Sequence, residues 1–318
     1  MEYYSRNNSG FISLGVIFLV FALITTVAVT QTKNLFPLAP GPIPTETPSP
    51  SPSQLQTPSP TPTTQPVTPS STPKPTLQPV SGLPAQAGPP GSGYSRITVA
   101  TERGNFTISV ISIDTTSTRM ITDTASDSDC PNSCPILPLS NYIARNGGFA
   151  GMNGTYFCPT DYGECAGKLN SFDFPVYNSR LGKWINGGNL FWNNRSMIYF
   201  DGSGPHFVRN ANSFVGGPAA GIVNHPGLVE AGNVIADQFP LTDKQQAKGT
   251  KTGIGIRGRV MYMVVANNVD ILDFAHVFKS LGAENALNLD GGGSVALWFG
   301  GYKAGPGRNL PNAIIFTR

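Results

Sequence analysis

The distribution of hydrophobic residues divides the chain into segments of different character. After a short tail at residues 1–10, residues 11–30 are uncharged and mostly apolar. Residues 31–93 show no hydrophobic periodicity and are rich in proline, serine and threonine. From residue 94 to residue 318, apolar and polar residues alternate in short runs, as is typical of half-buried β-strands. The pattern predicts one folded domain at 94–318.

The apolar segment at 11–30 is long enough to cross a membrane. About 20 helical residues at a rise of about 1.5 Å each span the roughly 30 Å hydrocarbon core. A cleaved signal peptide is the alternative, because Thr26, Val27 and Ala28 are suitable residues near the end of the run. Since the apolar core of a signal peptide is usually shorter, we expect a single-pass signal anchor that attaches the protein to the membrane.

The segment at 31–93 has the composition of a linker. Ser-Pro and Thr-Pro pairs recur in it, for example at 47–52 and 57–62. Such a sequence cannot bury a core and favours extended polyproline conformations. We expect a disordered stalk that holds the domain outside the cytoplasm, at the cell surface. A cytoplasmic segment that binds partner domains is the alternative, but no basic residues recur beside the prolines.

Two β-hairpins and two helices are predicted within the domain. Alternation at 97–113 and at 251–265 indicates the hairpins. The first helix, at 140–147, has Ser140 as its cap and ends at a glycine; the second begins at Asp270 and ends at Gly282. Short strands joined by Asn-Gly and Asp-Gly turns fill the region between them. The predicted fold class is α+β, with mostly antiparallel or mixed β-sheets and a few helices.

An internal repeat is also suggested by the order of elements. In each half of the domain a hairpin precedes a helix, and a glycine, a short strand and an Asn-Gly or Asp-Gly pair follow it. If the halves are related, Asn153 and Asp290 meet in one cleft. The alternative is that strand-to-glycine turns are common in any α+β protein.

Composition narrows the classes of function. Charged residues make up 12% of the chain and the net charge is +3, without a basic run or face. Nucleic-acid binding is therefore not expected. Polar loops rich in glycine, asparagine, serine and threonine suit a surface that faces carbohydrate.

Four cysteines flank the strand that ends at Asn153. Cys130 and Cys134 precede it, and Cys158 and Cys165 follow it. Outside the cytoplasm an even number of cysteines usually forms disulfides, and four allow three pairings that the sequence does not separate. A four-thiolate zinc site is the alternative, but neither pair has the two-residue spacing of most zinc knuckles. We expect disulfides.

The most informative stretch is residues 285–294, where a predicted buried strand ends at Asp290 and three glycines and Ser294 follow. A simple hairpin turn does not need three glycines, each of which loses much backbone entropy on folding. Close approach of a ligand explains them better. The alternative is that Asp290 only caps its own turn and Asn153 only bonds backbone in its turn.

Three motifs stand out, at 151–157, at 251–255 and at 281–294. Through these motifs the chain resembles the phosphodiester glycosidase domain family, over a region from about 95 to 318. Lys251 stands where the family usually has arginine, so the charge is kept without the bidentate fork. The resemblance implies hydrolysis of a sugar-1-phosphodiester in a glycan or polysaccharide substrate.

The resemblance also implies roles for individual residues. Asp290 would be the general base or nucleophile, or else a ligand of a divalent cation, so metal dependence is left open. Asn153 and Lys251 complete the predicted catalytic set, with Lys251 neutralising the phosphate. The predicted substrate-binding residues are Thr155, Thr252, Asn288, Gly291, Gly292, Gly293 and Ser294.

The sequence specifies neither a partner carboxylate nor a histidine metal site. No second carboxylate is placed as a partner to Asp290, although glycosidases commonly use a pair. Glu164, Asp173, Asp201 and Glu284 are candidate partners on proximity in the chain alone. Spacing alone selects no zinc site from the three histidines, which are expected to be structural. The alternatives to an enzyme are a non-catalytic glycan-binding module and a structural surface protein.

Overall fold

The computed structural model describes residues 85–190 and 194–318. The predicted anchor at 11–30 and the linker as far as residue 84 lie outside these ranges. Within the ranges, no helix combines the length and the apolar character needed to cross a membrane.

Strands outnumber helices in the part of the chain that the structure describes. The strands are β1 (Ala85–Gln86), β2 (Gly93–Thr101), β3 (Gly104–Asp114), β4 (Arg119–Thr124), β5 (Ala150–Asn153), β6 (Val176–Asn178), β7 (Lys183–Ile185), β8 (Ser196–Asp201), β9 (Gly204–Val208), β10 (Ala220–Asn224), β11 (Gly227–Glu230), β12 (Asn233–Val234), β13 (Gly249–Arg257), β14 (Val260–Val269), β15 (Asn285–Leu289), β16 (Leu297–Phe299), β17 (Tyr302–Ala304) and β18 (Asn312–Thr317). The α-helices are α1 (Leu139–Asn146), α2 (Asp243–Gln246) and α3 (Ile271–Ser280).

These strands form three sheets. The largest has the order β1-β2-β3-β14-β13-β15-β11-β12, and the others are β7-β6-β10-β8-β9 and β17-β16-β5-β18-β4. β1 pairs with β2 in parallel, whereas the other ladders are antiparallel. Both predicted hairpins are present, as β2–β3 and β13–β14. The predicted α+β class with mostly antiparallel sheets is confirmed.

One hydrophobic core is shared by the three sheets. Ile254 and Met263 enter it from the largest sheet, Ile198 from β8, and Met152 and Ile314 from the third sheet. Because side chains alternate along a strand, the neighbours of these residues face outward. On the largest sheet that outer face is covered by α3, and on the third sheet by α1.

The N-terminal cap predicted from the sequence is correct for α3 but not for α1. Asp270 caps α3, and it forms the reciprocal pair of side-chain bonds with Asp273. The serine cap predicted for α1 is wrong. The N-cap is Pro138, which makes no side-chain cap bond, and Ser140 lies inside the helix. The predicted glycine stop is present, because Gly147 has the left-handed conformation, with φ 62°.

The cysteines form two short-range disulfides, Cys130–Cys134 and Cys158–Cys165. The prediction of disulfides is confirmed, and the structure selects one of the three pairings. The first bridge lies beside the segment that follows the second, since the amide of Cys134 donates a 3.0 Å hydrogen bond to the carbonyl of Leu169. One bridge therefore closes a loop between β4 and α1, the other closes a loop after β5, and the hydrogen bond joins the two regions.

Candidate active site

A cavity of about 620 Å³ lies at the end of β15. Its wall combines residues after β5, the start of β13, helix α2 and the glycine turn after β15. Asp290 lies in this wall, together with Gly291, Gly292 and Lys251. Asp290, from the stretch at 285–294, and Lys251, the predicted cation, therefore line the same cavity.

The main chain of Asp290 is held by neighbouring strands on both sides. Its amide donates a 3.0 Å hydrogen bond to the carbonyl of Gly154. Its carbonyl accepts a 2.6 Å bond from Asn153 Nδ2 and another 2.6 Å bond from Thr252 Oγ1. The ends of β5 and β15 therefore meet, as the repeat hypothesis requires. The repeat itself stays a prediction, since the two strands belong to different sheets.

The carboxyl group of Asp290 is in an unusual electrostatic environment. Burial raises its pKa from the ordinary 3.8 to about 7. Hydrogen bonds from the Ser294 hydroxyl and the Gly291 amide, and the positive charge of Arg308, act in the opposite direction on that pKa. The Gly291 amide lies 2.9 Å from Asp290 Oδ1. Asp290 therefore caps its own turn and also faces the cavity with a carboxyl group that changes charge near neutral pH.

The three glycines after Asp290 are used differently. A Cβ on Gly291 would lie 2.5 Å from the carbonyl oxygen of Thr250, and one on Gly293 would overlap the Arg308 guanidinium. Gly292 has φ 57°, with open space where a side chain would be. The Gly291 amide is bonded to Asp290, whereas the amides of Gly292 and Gly293 have no hydrogen-bond partner within the described ranges. Two of the three glycines predicted to bind substrate thus have a free amide within these ranges, and one of these, Gly292, lines the cavity.

Cations dominate the charged residues around the cavity. Among the described lining residues there are four, Arg195, Lys244, Lys248 and Lys251, and a single carboxylate, Asp290. Lys251 Nζ donates to the carbonyls of Lys244 and Ala247, at 2.9 and 3.1 Å. Burial lowers the pKa of Lys251, and the charge of Asp270 partly offsets this. The cavity is suited to an anionic ligand.

The other predicted polar residues lie behind the cavity wall. The side chains of Asn153, Thr155, Thr252 and Asn288 belong to residues that are at most 2% exposed. Thr155 Oγ1 donates to Asn224 Oδ1 at 2.7 Å, and Asn288 Nδ2 donates to the Tyr156 hydroxyl at 2.6 Å. The geometry makes these four residues supports for the wall. Their predicted contact with substrate stays a prediction.

Two lining residues were not singled out from the sequence. The Tyr156 hydroxyl accepts hydrogen bonds from Asn288 and Gln245, so its own proton is left to donate. Burial, together with the nearby charge of Asp290, raises the pKa of Tyr156 to about 12, and it stays protonated at neutral pH. His225 lines the same cavity; burial lowers its pKa, and its Nδ1 has no partner in the part of the chain that the structure describes. Neither residue has a sequence spacing that marks a site.

No second carboxylate lines the cavity among the described residues. Glu164, Asp173, Asp201 and Glu284, the candidate partners, all lie outside the cavity lining. Glu164 pairs with Lys244, Asp201 binds Ser203 and His206, and Glu284 accepts from the amide of Gly258. Within the same ranges, no three His, Cys, Asp or Glu side chains come close enough together to hold a metal ion. Asp290 is the single carboxylate that the described residues bring to this cavity.

Comparison with solved structures shows the fold. The domain is similar to the zebrafish N-acetylglucosamine-1-phosphodiester alpha-N-acetylglucosaminidase catalytic domain, auto-inhibited by its pro-peptide, with a TM-score of 0.54 and 13% identity over 73% of this chain and 87% of that one. A hypothetical protein from Synechocystis gives a TM-score of 0.47 and 13% identity over 70% of this chain. The match spans 61% of the Synechocystis chain. No curated protein matches the sequence.

A family model gives the identification. The model for phosphodiester glycosidase matches residues 146–317, which is more than half of the 318 residues. The matched range includes β5, the β13–β14 hairpin, and the turn after β15 that carries Asp290. The chain therefore belongs to the phosphodiester glycosidase family.

Proposed function

We propose that the protein is a hydrolase that cleaves sugar-1-phosphodiesters in surface glycans or polysaccharide. The observation that carries the proposal is Asp290, a carboxyl group with a pKa of about 7 in a cavity whose other charged lining residues are cations. Perturbed carboxyl groups in clefts are candidates for catalysis. The family supports hydrolysis of a phosphodiester, and the cationic lining supports an anionic substrate.

The phosphate has a candidate binding place next to Asp290. Lys251 would neutralise its charge, and the available amides of Gly292 and Gly293 would donate to its oxygens. Lys251 Nζ donates to two carbonyls, which hold its ammonium group at the cavity. A side-chain cation and main-chain amides together form the kind of anion site that a phosphodiester needs.

A single carboxylate is sufficient for this type of substrate. Breaking the bond between the sugar C1 and oxygen releases a phosphate monoester, whose second pKa is about 6. An ordinary glycoside instead releases an alkoxide, which needs a general acid to protonate it. Since the phosphate leaves as a stable anion, the absence of a second carboxylate from the described lining is compatible with hydrolysis.

Asp290 would then act as the general base, and its ionised form takes a proton from the water that attacks C1. A base with a pKa near the working pH is well matched to this step. The Tyr156 hydroxyl, which stays protonated, would donate a hydrogen bond to a sugar or phosphate oxygen. Ser294 would hold the Asp290 carboxylate in position through the bond that lowers its pKa.

We extend the proposal to the location of the protein. Two disulfides favour an oxidising compartment. Together with the apolar segment at 11–30 and the proline-rich linker, they support a domain held outside the cytoplasm by a membrane anchor.

The test is turnover of a chromogenic α-N-acetylglucosamine-1-phosphodiester by the full chain, with the Asp290→Asn variant as the control. The zebrafish protein's name motivates the choice of sugar. We expect the wild-type protein to release the chromogen and the variant to lose about 100-fold or more of that rate, the lower range for loss of a general base. Equal rates would remove Asp290 from the chemistry. Binding of the phosphodiester without turnover by either protein would favour the glycan-binding alternative.

A further inference from the structure

A second cavity, of about 370 Å³, adjoins the candidate active site. The linings of the two cavities share Thr250 and Gly292, so these residues form the partition between them. Gly292 has a positive φ of 57°, and no heavy atom lies within 4 Å of the position of an added Cβ. Open space therefore lies beside Gly292, where the two cavities adjoin.

The second cavity carries positive charge without acidic residues. Arg96 from β2 and Lys303 from β17 line it, and none of its described lining residues is an aspartate or glutamate. Both cations belong to exposed residues, and neither forms an ion pair within residues 85–190 and 194–318. Lys303 Nζ lies 5.2 Å from the centre of the Tyr94 ring. By contrast, Lys244 and Lys248 in the first cavity are paired with Glu164 and Asp273.

Neutral hydrogen-bonding groups complete this lining. Thr107, Ser109 and Asn267 belong to it, and the Thr250 hydroxyl donates to Asn267 Oδ1 at 2.9 Å. The two unpaired cations suit an anionic group, and the neighbouring hydroxyl and amide groups suit the hydroxyls of an attached sugar.

We propose that this second cavity binds a second phosphate group of the substrate, and that the natural substrate is an oligomer or polymer of sugars joined through 1-phosphodiesters. The inference rests on the proposed function and specifies its substrate class. One phosphodiester lies at Asp290 and is cleaved, while the next phosphate along the chain is held by Arg96 and Lys303. The sugar between the two phosphates crosses the partition at Gly292.

The test compares three substrates: the single-phosphodiester chromogen, a synthetic trisaccharide with two 1-phosphodiester links, and a matched trisaccharide in which the non-cleaved link is neutral. The Arg96→Ala/Lys303→Ala protein is expected to keep wild-type kcat/KM on the chromogen and on the neutral-link trisaccharide. On the trisaccharide with two phosphodiesters its kcat/KM should fall about tenfold or more, because loss of even one hydrogen bond to a charged phosphate costs about a decade of affinity.

A matched control separates the site from net charge. Arg119→Ala/Lys183→Ala removes the same two charges from exposed residues on β4 and β7, away from both cavities. It should leave all three rates unchanged. Equal losses in the two double variants, or no loss in either, would overturn the proposal and leave Arg96 and Lys303 as ordinary solvated surface.

A binding experiment keeps the inference separate from catalysis. In the Asp290→Asn background, calorimetry should show that the trisaccharide with two phosphodiesters binds about tenfold more tightly than the neutral-link trisaccharide. Adding Arg96→Ala and Lys303→Ala should abolish that difference. If the wild-type protein turns over no substrate but the difference in affinity is found, the proposed hydrolysis fails and the second phosphate site stands. Equal affinities in the Asp290→Asn protein would refute the second site alone.

Discussion

The side-chain amide of Asn153 donates a 2.6 Å hydrogen bond to the main-chain carbonyl of Asp290, and so joins the end of β5 to the residue after β15. Thr252 donates to the same carbonyl at 2.6 Å and accepts from Asn153 at 3.1 Å. Three strands from two sheets are thereby connected at one oxygen atom. The orientation of the Asp290 carboxyl group depends on this triangle.

The triangle should behave as a coupled unit. Asn153→Ala and Thr252→Val each remove one donor, and each should cost about 1–3 kcal/mol of the free energy of unfolding, because buried polar groups lose partners. The two losses should not add, since each single variant already removes the hydrogen bond that joins Asn153 to Thr252. Urea denaturation of the two single variants and the double variant measures the coupling. Strictly additive losses would contradict a shared role.

The rate of hydrolysis should depend on the ionisation of Asp290. As the pH rises through about 7, Asp290 loses its proton and kcat/KM should increase. The Ser294 hydroxyl lowers the pKa of Asp290, so Ser294→Ala should move the midpoint of the profile to higher pH. Ser213→Ala, which removes an exposed hydroxyl outside the cavity, is the control. If kcat/KM instead decreases as the pH rises through about 7, Asp290 acts as a general acid.

The same ionisation should reduce stability at high pH. The folded-state pKa of Asp290 is raised above its unfolded value, so its stabilising contribution is complete below about pH 4 and is lost as the pH rises to about 7. The side chain of the Asp290→Asn variant does not ionise. The free energy of unfolding of the variant should therefore increase relative to that of the wild type over this pH interval, by at most roughly 4 kcal/mol. Chemical denaturation of both proteins at about pH 4.5, 6 and 8, which spans the titration of Asp290, measures the difference between their free energies of unfolding. A constant difference would contradict the raised pKa.

Tyr156 is expected to contribute to both catalysis and stability. Tyr156→Phe removes the acceptor for Asn288 and Gln245, which should lower the free energy of unfolding by about 1–3 kcal/mol. If its proton assists the reaction, kcat should fall about 100-fold. Tyr162→Phe is the matched control, because it keeps the ring that lies 3.8 Å from Lys244 Nζ. Loss of stability with an unchanged kcat would restrict Tyr156 to a structural role.

Features that depend on nearby residues could be predicted from the sequence. The capping box of α3 joins Asp270 to Asp273, three positions apart, and both hairpins are closed by short turns. The α1 cap could not be predicted in the same way, because Ser140 has a suitable side chain but Pro138 takes the cap position. Local chemistry offers several capping residues, and packing of the helix against β18 and β5 decides among them.

The site could be located from the sequence but not assigned residue by residue. Asp290 stands out because three glycines follow it, whereas its raised pKa results from burial in the folded domain. Asn153 and Asn288 look alike as candidate ligands, and both are buried among protein partners. Tyr156 and His225 reach the cavity because β5, β10 and β15 converge there. Their spacing along the chain does not predict this convergence.

The main-chain bonds of Asp290 to Gly154, Asn153 and Thr252 also determine when its carboxyl group becomes ordered. These bonds form as the sheets assemble, so the group is preorganised before any substrate arrives. Substrate binding then needs no rearrangement of this residue, and little reorganisation energy enters the barrier. On heating, loss of activity should coincide with global unfolding, without an earlier stage in which a folded protein has a disordered active site.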